Sequence, residues 1–590
     1  LTLQSRPPHP HAPNGTRYRL CLLAILLLFV AIGARWIWLY RHGLTLDIDE
    51  AGYLSLAVID DYGLRYGGLH GWIAAIDMTS IQAPLTTAAA SLVFALVGLH
   101  VTAGFVVPLA AGAGCILAAA LLGHALGPRR VGLMAAVLTA SCPVIIIFSR
   151  TFQFATPAAL VMTLALVAIL RSQRFARVTW AAVFGLCLGL MPLARTMTIA
   201  FLPGLVAAAL VVVMADPHHR PRSLALLLGS LVLAVLVSAT WLWPNGRVVA
   251  QYLVSYGYGG HALDYGPHTS ALGLDAWQAM LKLFGNSLYL PHLLMVILGG
   301  LGLLAITLRS VTIAGVGPTA RRILHAPALP VVIVAADVFV TLTTSNNKGS
   351  GFFAPIVPSL MALTAWSLWR LSNSRRVDAM MSILVAVVAI LGTVPSLDLR
   401  SPLARHTVLR LPVLADITVT DGRGRIQIEQ AFLGYGVRDT AEPIDRTTSR
   451  AWVTLSRVTA DWLTRTFGAH ATIAFAFRNG LYNVNTVNLQ ELLHAHSAFA
   501  EIQIDPAVTR ASVAGYGGWL KTEAASACAL LTSDRPGGDF LPAIDRPMMA
   551  QAARQAGFVQ RQFWPAPDGQ IVMLWVPAVT PPHCRVSVQG

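Results

Sequence analysis

Charge is what this sequence has least of. Only 12% of its 590 residues are Asp, Glu, Lys or Arg, about half of the roughly 25% usual in soluble domains. With 55% hydrophobic residues and a mean hydropathy of +0.63, the chain cannot coat the several soluble domains its length would otherwise imply. A soluble cytoplasmic enzyme is excluded. Lysine is almost absent: of 42 basic residues only Lys282, Lys348 and Lys521 are lysines. The six cysteines form no CxxC and no metal-ligand spacing. Cys21, Cys115, Cys142 and Cys187 fall inside apolar stretches, where a thiol behaves as a small hydrophobe. Cys528 and Cys584 lie in the polar C-terminal part and are free to pair if that part meets oxidising conditions. There is no glycine-rich nucleotide motif, basic helix or aromatic-interleaved basic patch, so the net charge of +15 does not point to nucleic acid.

What is present instead is a series of apolar runs separated by short arginine-bearing gaps, the pattern of a multi-spanning membrane protein. Residues 1–19 are polar and contain Arg6, Arg17 and Arg19; the run Cys21–Tyr40 follows, with Trp36, Trp38 and Tyr40 as an interfacial aromatic belt. No small-x-small cleavage site ends it, so it reads as an uncleaved first span with the N-terminus inside. Further spans are expected at 101–124, 131–148, 156–170, 178–192, 197–214, 223–241, 288–308, 328–344, 352–370 and 379–395. That makes about 11 spans and leaves the C-terminus outside. Arginines gather in the inner loops this defines (Arg129 and Arg130; Arg171, Arg174 and Arg177; Arg220 and Arg222; Arg309, Arg321 and Arg322; Arg370, Arg375 and Arg376), as the positive-inside rule requires. Residues 84–98 are apolar but short. Were they a span, every later arginine loop would move outside, so they are expected to lie as a juxtamembrane helix within a first outer loop, 41–100.

Beyond 395 the texture changes. Residues 396–590 hold more than half of the 27 acidic residues, and the apolar runs shrink to strand length at 417–419, 471–477 and 571–576. Helical stretches are expected at 449–467, 486–496 and 547–556, and Asp568-Gly569 reads as a hairpin turn. The fold class is therefore a polytopic α-helical membrane protein, with a membrane domain over 20–395 and an extracytoplasmic α/β domain over 396–590.

The chemistry-bearing residues cluster on the expected outer face. Asp47, Asp49 and Glu50 are three carboxylates within four positions just beyond the first span, with Tyr53 following. One reading is a helix start, with Asp49 as N-cap and acids complementing the dipole. The other is a base for an acceptor hydroxyl, or a ligand for a divalent cation (Mg or Mn) against a phosphate. Arg150, Arg195 and Lys348 stand alone at the outer ends of other spans, either as snorkelling anchors or as donors to a lipid phosphate. Gly349, Gly351, Pro355 and Pro358 interrupt the span that follows Lys348, a way of shaping a site at membrane depth.

The DIDEAGYLSLA stretch from Asp47, the QAPL helix at 82–98, the Ser149-Arg150 pair and Asn347-Lys348-Gly349 with the later Phe-Phe-x-Pro-x-x-Pro resemble the GT-C superfamily. The resemblance is to bacterial relatives of the protein O-mannosyltransferases and aminoarabinose transferases, and covers roughly residues 20–395. It implies an inverting glycosyltransferase of the bacterial cytoplasmic membrane, transferring a monosaccharide from a polyprenyl-phosphate carrier to an extracytoplasmic acceptor. By position, Asp49 resembles the catalytic acid with Glu50 beside it; Arg150 and Lys348 resemble the cations near the carrier phosphate, with Arg195, Gln153 and Asn347 around them and Asp47 and Tyr53 supporting the acid. The chain departs from the pattern at Gln153, where many relatives carry an acid soon after the arginine, and at Gly351-Phe352, where an arginine-tyrosine pair is usual. Two other readings fit the composition: a transporter or flippase for polyprenyl-linked glycans, and a non-catalytic envelope-assembly protein with 478–485 as a sugar-binding loop. The acidic cluster and the near-absence of acids within spans, Asp337 excepted, favour the enzyme.

Overall fold

The computed structural model describes residues 15–78, 81–215, 220–265, 270, 273–372, 374–397, 407–411, 415–420, 446–469, 471–477, 479–504, 508, 512–535, 545–579 and 581–584. The chain divides into two compact units: one comprises Leu1–Trp36, Ile76–Ala89 and Phe105–Gly424, the other Ile37–Ala75, Ala90–Gly104 and Arg425–Gly590.

The first unit is a helical bundle of a multi-pass membrane protein. Among the described residues, seven helices are long and apolar enough to cross a membrane: Gly15–Arg41, Val101–Leu126, Thr196–Met214, Arg220–Gly257, Leu274–Ala314, Gly351–Leu371 and Arg375–Thr393. An eighth is added if Val316–Leu324 and Leu329–Thr344, bent by 86°, count as one broken span. The expected 11 spans exceed this count. Two of the others, Ala155–Arg171 and Val178–Ala194, are apolar but short, and the third, 131–148, is broken at Ser141–Cys142 into Arg129–Ala140 and Pro143–Phe148. Pro143 opens the second piece, where its missing N–H costs nothing.

Close helix approach in this bundle depends on small residues, as is usual where hydrocarbon surrounds the helices. Helix Val178–Ala194 lies along Arg220–Gly257. A Cβ on Gly185 would sit 2.5 Å from the Ser230 carbonyl oxygen, and one on Gly189 would sit 2.6 Å from that of Ala234. The Ser230 hydroxyl donates back to the Ala181 carbonyl at 2.8 Å. Helix Leu274–Ala314 kinks at Tyr289, which has φ 55°, just ahead of Pro291. An antiparallel pair, β1 (Thr407–Leu411) and β2 (Ala415–Thr420), packs on the same helix, with Ile417 over Gly285 and the Thr418 hydroxyl donating to Asn286. The strand expected at 417–419 therefore belongs to the bundle's unit.

The second unit is built on a five-stranded sheet in the order β4-β3-β5-β7-β6, where β3 is Thr472–Phe475, β4 Ala500–Gln503, β5 Ala529–Ser533, β6 Phe558–Pro565 and β7 Ile571–Pro577. The β3, β4 and β5 strands are parallel, and β7 runs antiparallel to both β5 and β6. Each parallel crossover carries a helix, Val484–Ala495 and then Val513–Thr522, as parallel connections demand. The β6–β7 hairpin turns at Asp568-Gly569, where Gly569 takes φ 81°. Trp452, Leu463, Phe475, Trp519, Leu530, Met549 and Leu574 are among its core residues. Cys528, at the start of β5, is disulfide-bonded to Cys584. The helices Arg446–Phe467, Val484–Ala495 and Arg546–Gln555 lie within about three residues of the sequence expectations. The same unit includes helix Ile48–Ile76, which is kinked at Gly68.

Candidate functional site

The acidic turn follows directly from the end of the first span. Gly43, at φ 64°, reverses the chain after Arg41, a conformation glycine adopts without a Cβ penalty. Helix Ile48–Ile76 begins five residues later. Its cap is Asp47, not Asp49: the Asp47 Oδ1 accepts from the Asp49 N–H at 2.8 Å and from the Glu50 N–H at 2.9 Å, satisfying two amides that have no intrahelical partner. The three carboxylates thus have distinct environments. Asp47 is 2% exposed and Glu50 fully buried, and Glu50 Oε2 lies 3.3 Å from Nη2 of the buried Arg41. Asp49 alone remains partly exposed, and Tyr53, also partly exposed, follows at the i+4 position on the same helix face.

Burial, together with Glu50 and Asp49 nearby, pushes the Asp47 carboxyl well above the usual carboxylate range, against the lowering pull of the Glu50 backbone amide and Arg41. A folded state that holds this proton more tightly than the unfolded chain loses stability as pH rises from about 4, the free-Asp value, through the raised pKa. Asp47→Asn keeps the oxygen that caps the helix and removes the charge. Its thermal midpoint relative to wild type should therefore climb as pH is raised from about 4, read by thermal unfolding in detergent.

The cations lie in the bundle unit. Arg150 sits on the loop between Pro143–Phe148 and Ala155–Arg171 and is 5% exposed; its guanidinium lies 5.5 Å from the Trp36 ring centroid. Burial lowers its pKa to about 9, which leaves it charged at neutral pH. Gln153, on the same loop, is buried, and its Nε2 makes no hydrogen bond among the described residues. Arg195 follows the end of helix Val178–Ala194 in extended conformation. It donates to the Gly351 carbonyl at 2.9 Å and lies 4.3 Å from the Phe352 ring centroid. A Cβ on Gly351 would sit 2.9 Å from the Arg195 guanidinium and 3.2 Å from Phe148. Gly351-Phe352, which stands where an arginine-tyrosine pair is usual in the family it resembles, thus receives an arginine from the end of another helix, which local sequence does not show.

Lys348 belongs to a turn fixed at Ser345, whose hydroxyl donates to the Gly257 carbonyl at 3.0 Å; the Asn346 N–H donates to the same carbonyl at 3.1 Å. The Lys348 ammonium donates to the Ser345 carbonyl, and partial burial lowers its pKa against the opposing charge of Asp275. Asn347 is buried beside it, its N–H on the Ser345 hydroxyl at 3.2 Å. Arg195 and Lys348 therefore share the 345–352 segment, and Phe148 brings the Arg150 loop next to it. The asparagines of 479–485 do structural work. Asn479 Oδ1 accepts from the Leu481 and Tyr482 N–H groups at 2.8 and 3.1 Å, and Asn483 caps helix Val484–Ala495.

In fold the chain is similar to several solved integral-membrane glycosyltransferases. Among solved structures the chain is similar to apo ArnT from Cupriavidus metallidurans, at 15% identity over 94% of this chain and 98% of that one, with a TM-score of 0.50. The archaeal oligosaccharyltransferase AglB from Archaeoglobus fulgidus, in complex with an inhibitory peptide and a dolichol-phosphate, matches at 12% identity over 97% and 75% of the two chains, TM-score 0.51. The arabinofuranosyltransferase AftD from Mycobacteria matches at 13% identity over 94% of this chain and 40% of its own, TM-score 0.52. No family model matches the sequence, and no curated protein matches it.

Proposed function

We propose that the protein is an inverting glycosyltransferase of the bacterial cytoplasmic membrane, which moves a monosaccharide from a polyprenyl-phosphate carrier to a hydroxyl-bearing acceptor outside the bilayer. The observation that carries this reading is the division of labour in the acidic turn. Asp47 is committed to two backbone amides and Glu50 to Arg41, while Asp49 keeps an exposed face beside Tyr53. In the reaction, the acceptor oxygen forms a bond to the sugar C1 as its proton passes to the Asp49 carboxylate. The bond from C1 to the phosphate oxygen breaks on the opposite side, and the polyprenyl phosphate leaves with that electron pair. Arg150, Arg195 and Lys348 receive the developing phosphate charge. Glu50 acts by holding the turn through Arg41. The dolichol-phosphate in the AglB complex is a carrier of the kind proposed.

Asp47 Oδ2 is buried without a hydrogen bond, yet among the described residues the carboxylates of the turn form no three-ligand grouping for a divalent cation (Mg or Mn). Among the described residues, the one grouping with metal-ligand spacing is Cys528, His583 and Cys584, and its two sulfurs are bonded to each other. No step is routed through a metal.

The test is sugar transfer from a panel of polyprenyl-phosphate donors by purified protein in nanodiscs. Arg150→Ala and Lys348→Ala should each raise the donor KM by about 10- to 100-fold, the value of one hydrogen bond to a charged group. Unchanged donor KM in both would remove the cations from the site. The arginine-rich loops support an orientation with the N-terminal tail, 1–19, in the cytoplasm and the C-terminal sheet unit outside. A cysteine introduced at Val579, 82% exposed, should react with an impermeant maleimide on intact cells; labelling only after permeabilisation would reverse the orientation.

A further inference from the structure

The peptide unit joining Ile48 to Asp49 is held at both ends. Its N–H donates to Asp47 Oδ1 at 2.8 Å, and its C=O accepts from Asn485 Nδ2 at 2.7 Å. Asn485 is itself well anchored, in the first turn of helix Val484–Ala495. That helix start is locked by a reciprocal cap, Thr486 N–H to Asn483 Oδ1 at 3.1 Å and Asn483 N–H to Thr486 Oγ1 at 3.0 Å. The Asn483 Nδ2 also donates to the Asn479 carbonyl at 3.0 Å. Opposite Asn485 is Gly52, inside a helix and with no positive φ. Glycine there costs helix stability relative to alanine, and its backbone does not require it. Space does: a Cβ would lie 2.8 Å from Asn485 Nδ2.

We infer that Asn485 is a positioning residue for Asp49, and that Gly52 is glycine to admit it; this rests on Asp49 being the acceptor base. The orientation of the peptide plane ahead of Asp49 sets the direction of its Cα–Cβ bond. A base must be held within a fraction of an ångström to be effective, and a misplacement of about 1 Å can cost about 100-fold. Other contacts join the same segments: Thr45 N–H to Ser449 Oγ at 3.0 Å, and Tyr62 hydroxyl to the Leu492 carbonyl at 2.6 Å. Those contacts secure the fold around the turn, whereas Asn485 bonds to the peptide that carries the base.

The experiment is a double-mutant cycle on the full chain in nanodiscs, with Asp49→Asn as control. Asn485→Leu, similar in volume but without a donor, should lower kcat by about 10- to 100-fold and leave the donor KM unchanged. Gly52→Ala should do the same, because its methyl displaces Asn485. In an Asn485→Ala background, adding Gly52→Ala should change kcat by less than about threefold, since nothing remains to be displaced. Wild-type kcat in Asn485→Leu, or independent effects of the two substitutions, would overturn the inference. Full turnover in Asp49→Asn would instead overturn the base reading. Hydrogen exchange of the 45–55 peptide supplies a readout without turnover: Asn485→Leu should speed exchange there, and unchanged protection would show that the bond holds nothing.

Discussion

Asp49→Asn is expected to abolish sugar transfer, with kcat falling by about 10²- to 10⁴-fold, the usual value of a positioned general base. The amide matches the carboxylate in shape but cannot accept the acceptor's proton. Because Asp49 is the partly exposed member of the turn, and Asp47 supplies the cap, the thermal midpoint should stay close to wild type. Glu50→Gln should lie between Asp49→Asn and Asp47→Asn in activity, since it leaves the Arg41 guanidinium without its carboxylate and loosens the turn. Turnover assays and thermal unfolding on the same preparations separate the two quantities. An Asp49→Asn variant with wild-type turnover would leave the acceptor without an identified base.

Arg41→Met should have the largest effect on stability. Arg41 and Glu50 are 5% and 0% exposed and 3.3 Å apart, with a second buried carboxylate, Asp47, beside them. Removing one partner of a buried ion pair costs about 3–5 kcal/mol, because the other charge is left uncompensated. Methionine keeps most of the side-chain volume, so the loss reports charge more than packing. A double variant, Arg41→Met with Glu50→Met, should regain much of the loss, as apolar replacements of whole buried pairs often do. The single variant should unfold far earlier in a detergent melt. Equal midpoints for the single and double variants would show that the pair is not electrostatically coupled.

Membrane helices were legible because twenty-odd apolar residues have few alternatives in a bilayer, and the α/β character of the C-terminal part followed from strand-length apolar runs between capped helices. The breaks were missed. Pro143, the local mark beside Ser141–Cys142, was read as lying within one apolar run, and the kink at Tyr289 is offset from the proline that accompanies it. The acidic motif read as a helix start and is one, but its cap was misjudged, since Asp49 looked like the cap and Asp47 serves as one. Whether an acid two residues before another caps or protrudes depends on where the helix begins, and helix boundaries are the least certain feature of a sequence. The partnership of Arg41 with Glu50 and the approach of Arg195 to Gly351 needed the folded chain, because they join residues across a turn and between helices.

The hydrogen bonds that complete the acidic turn connect residues 404 and 437 positions apart. During synthesis, Asp49 leaves the ribosome hundreds of residues before Ser449 and Asn485 exist. The turn around Asp49 therefore cannot gain these two bonds until the last third of the chain has been made. A chain interrupted after the final membrane helix would lack Ser449 and Asn485, and with them both of these bonds.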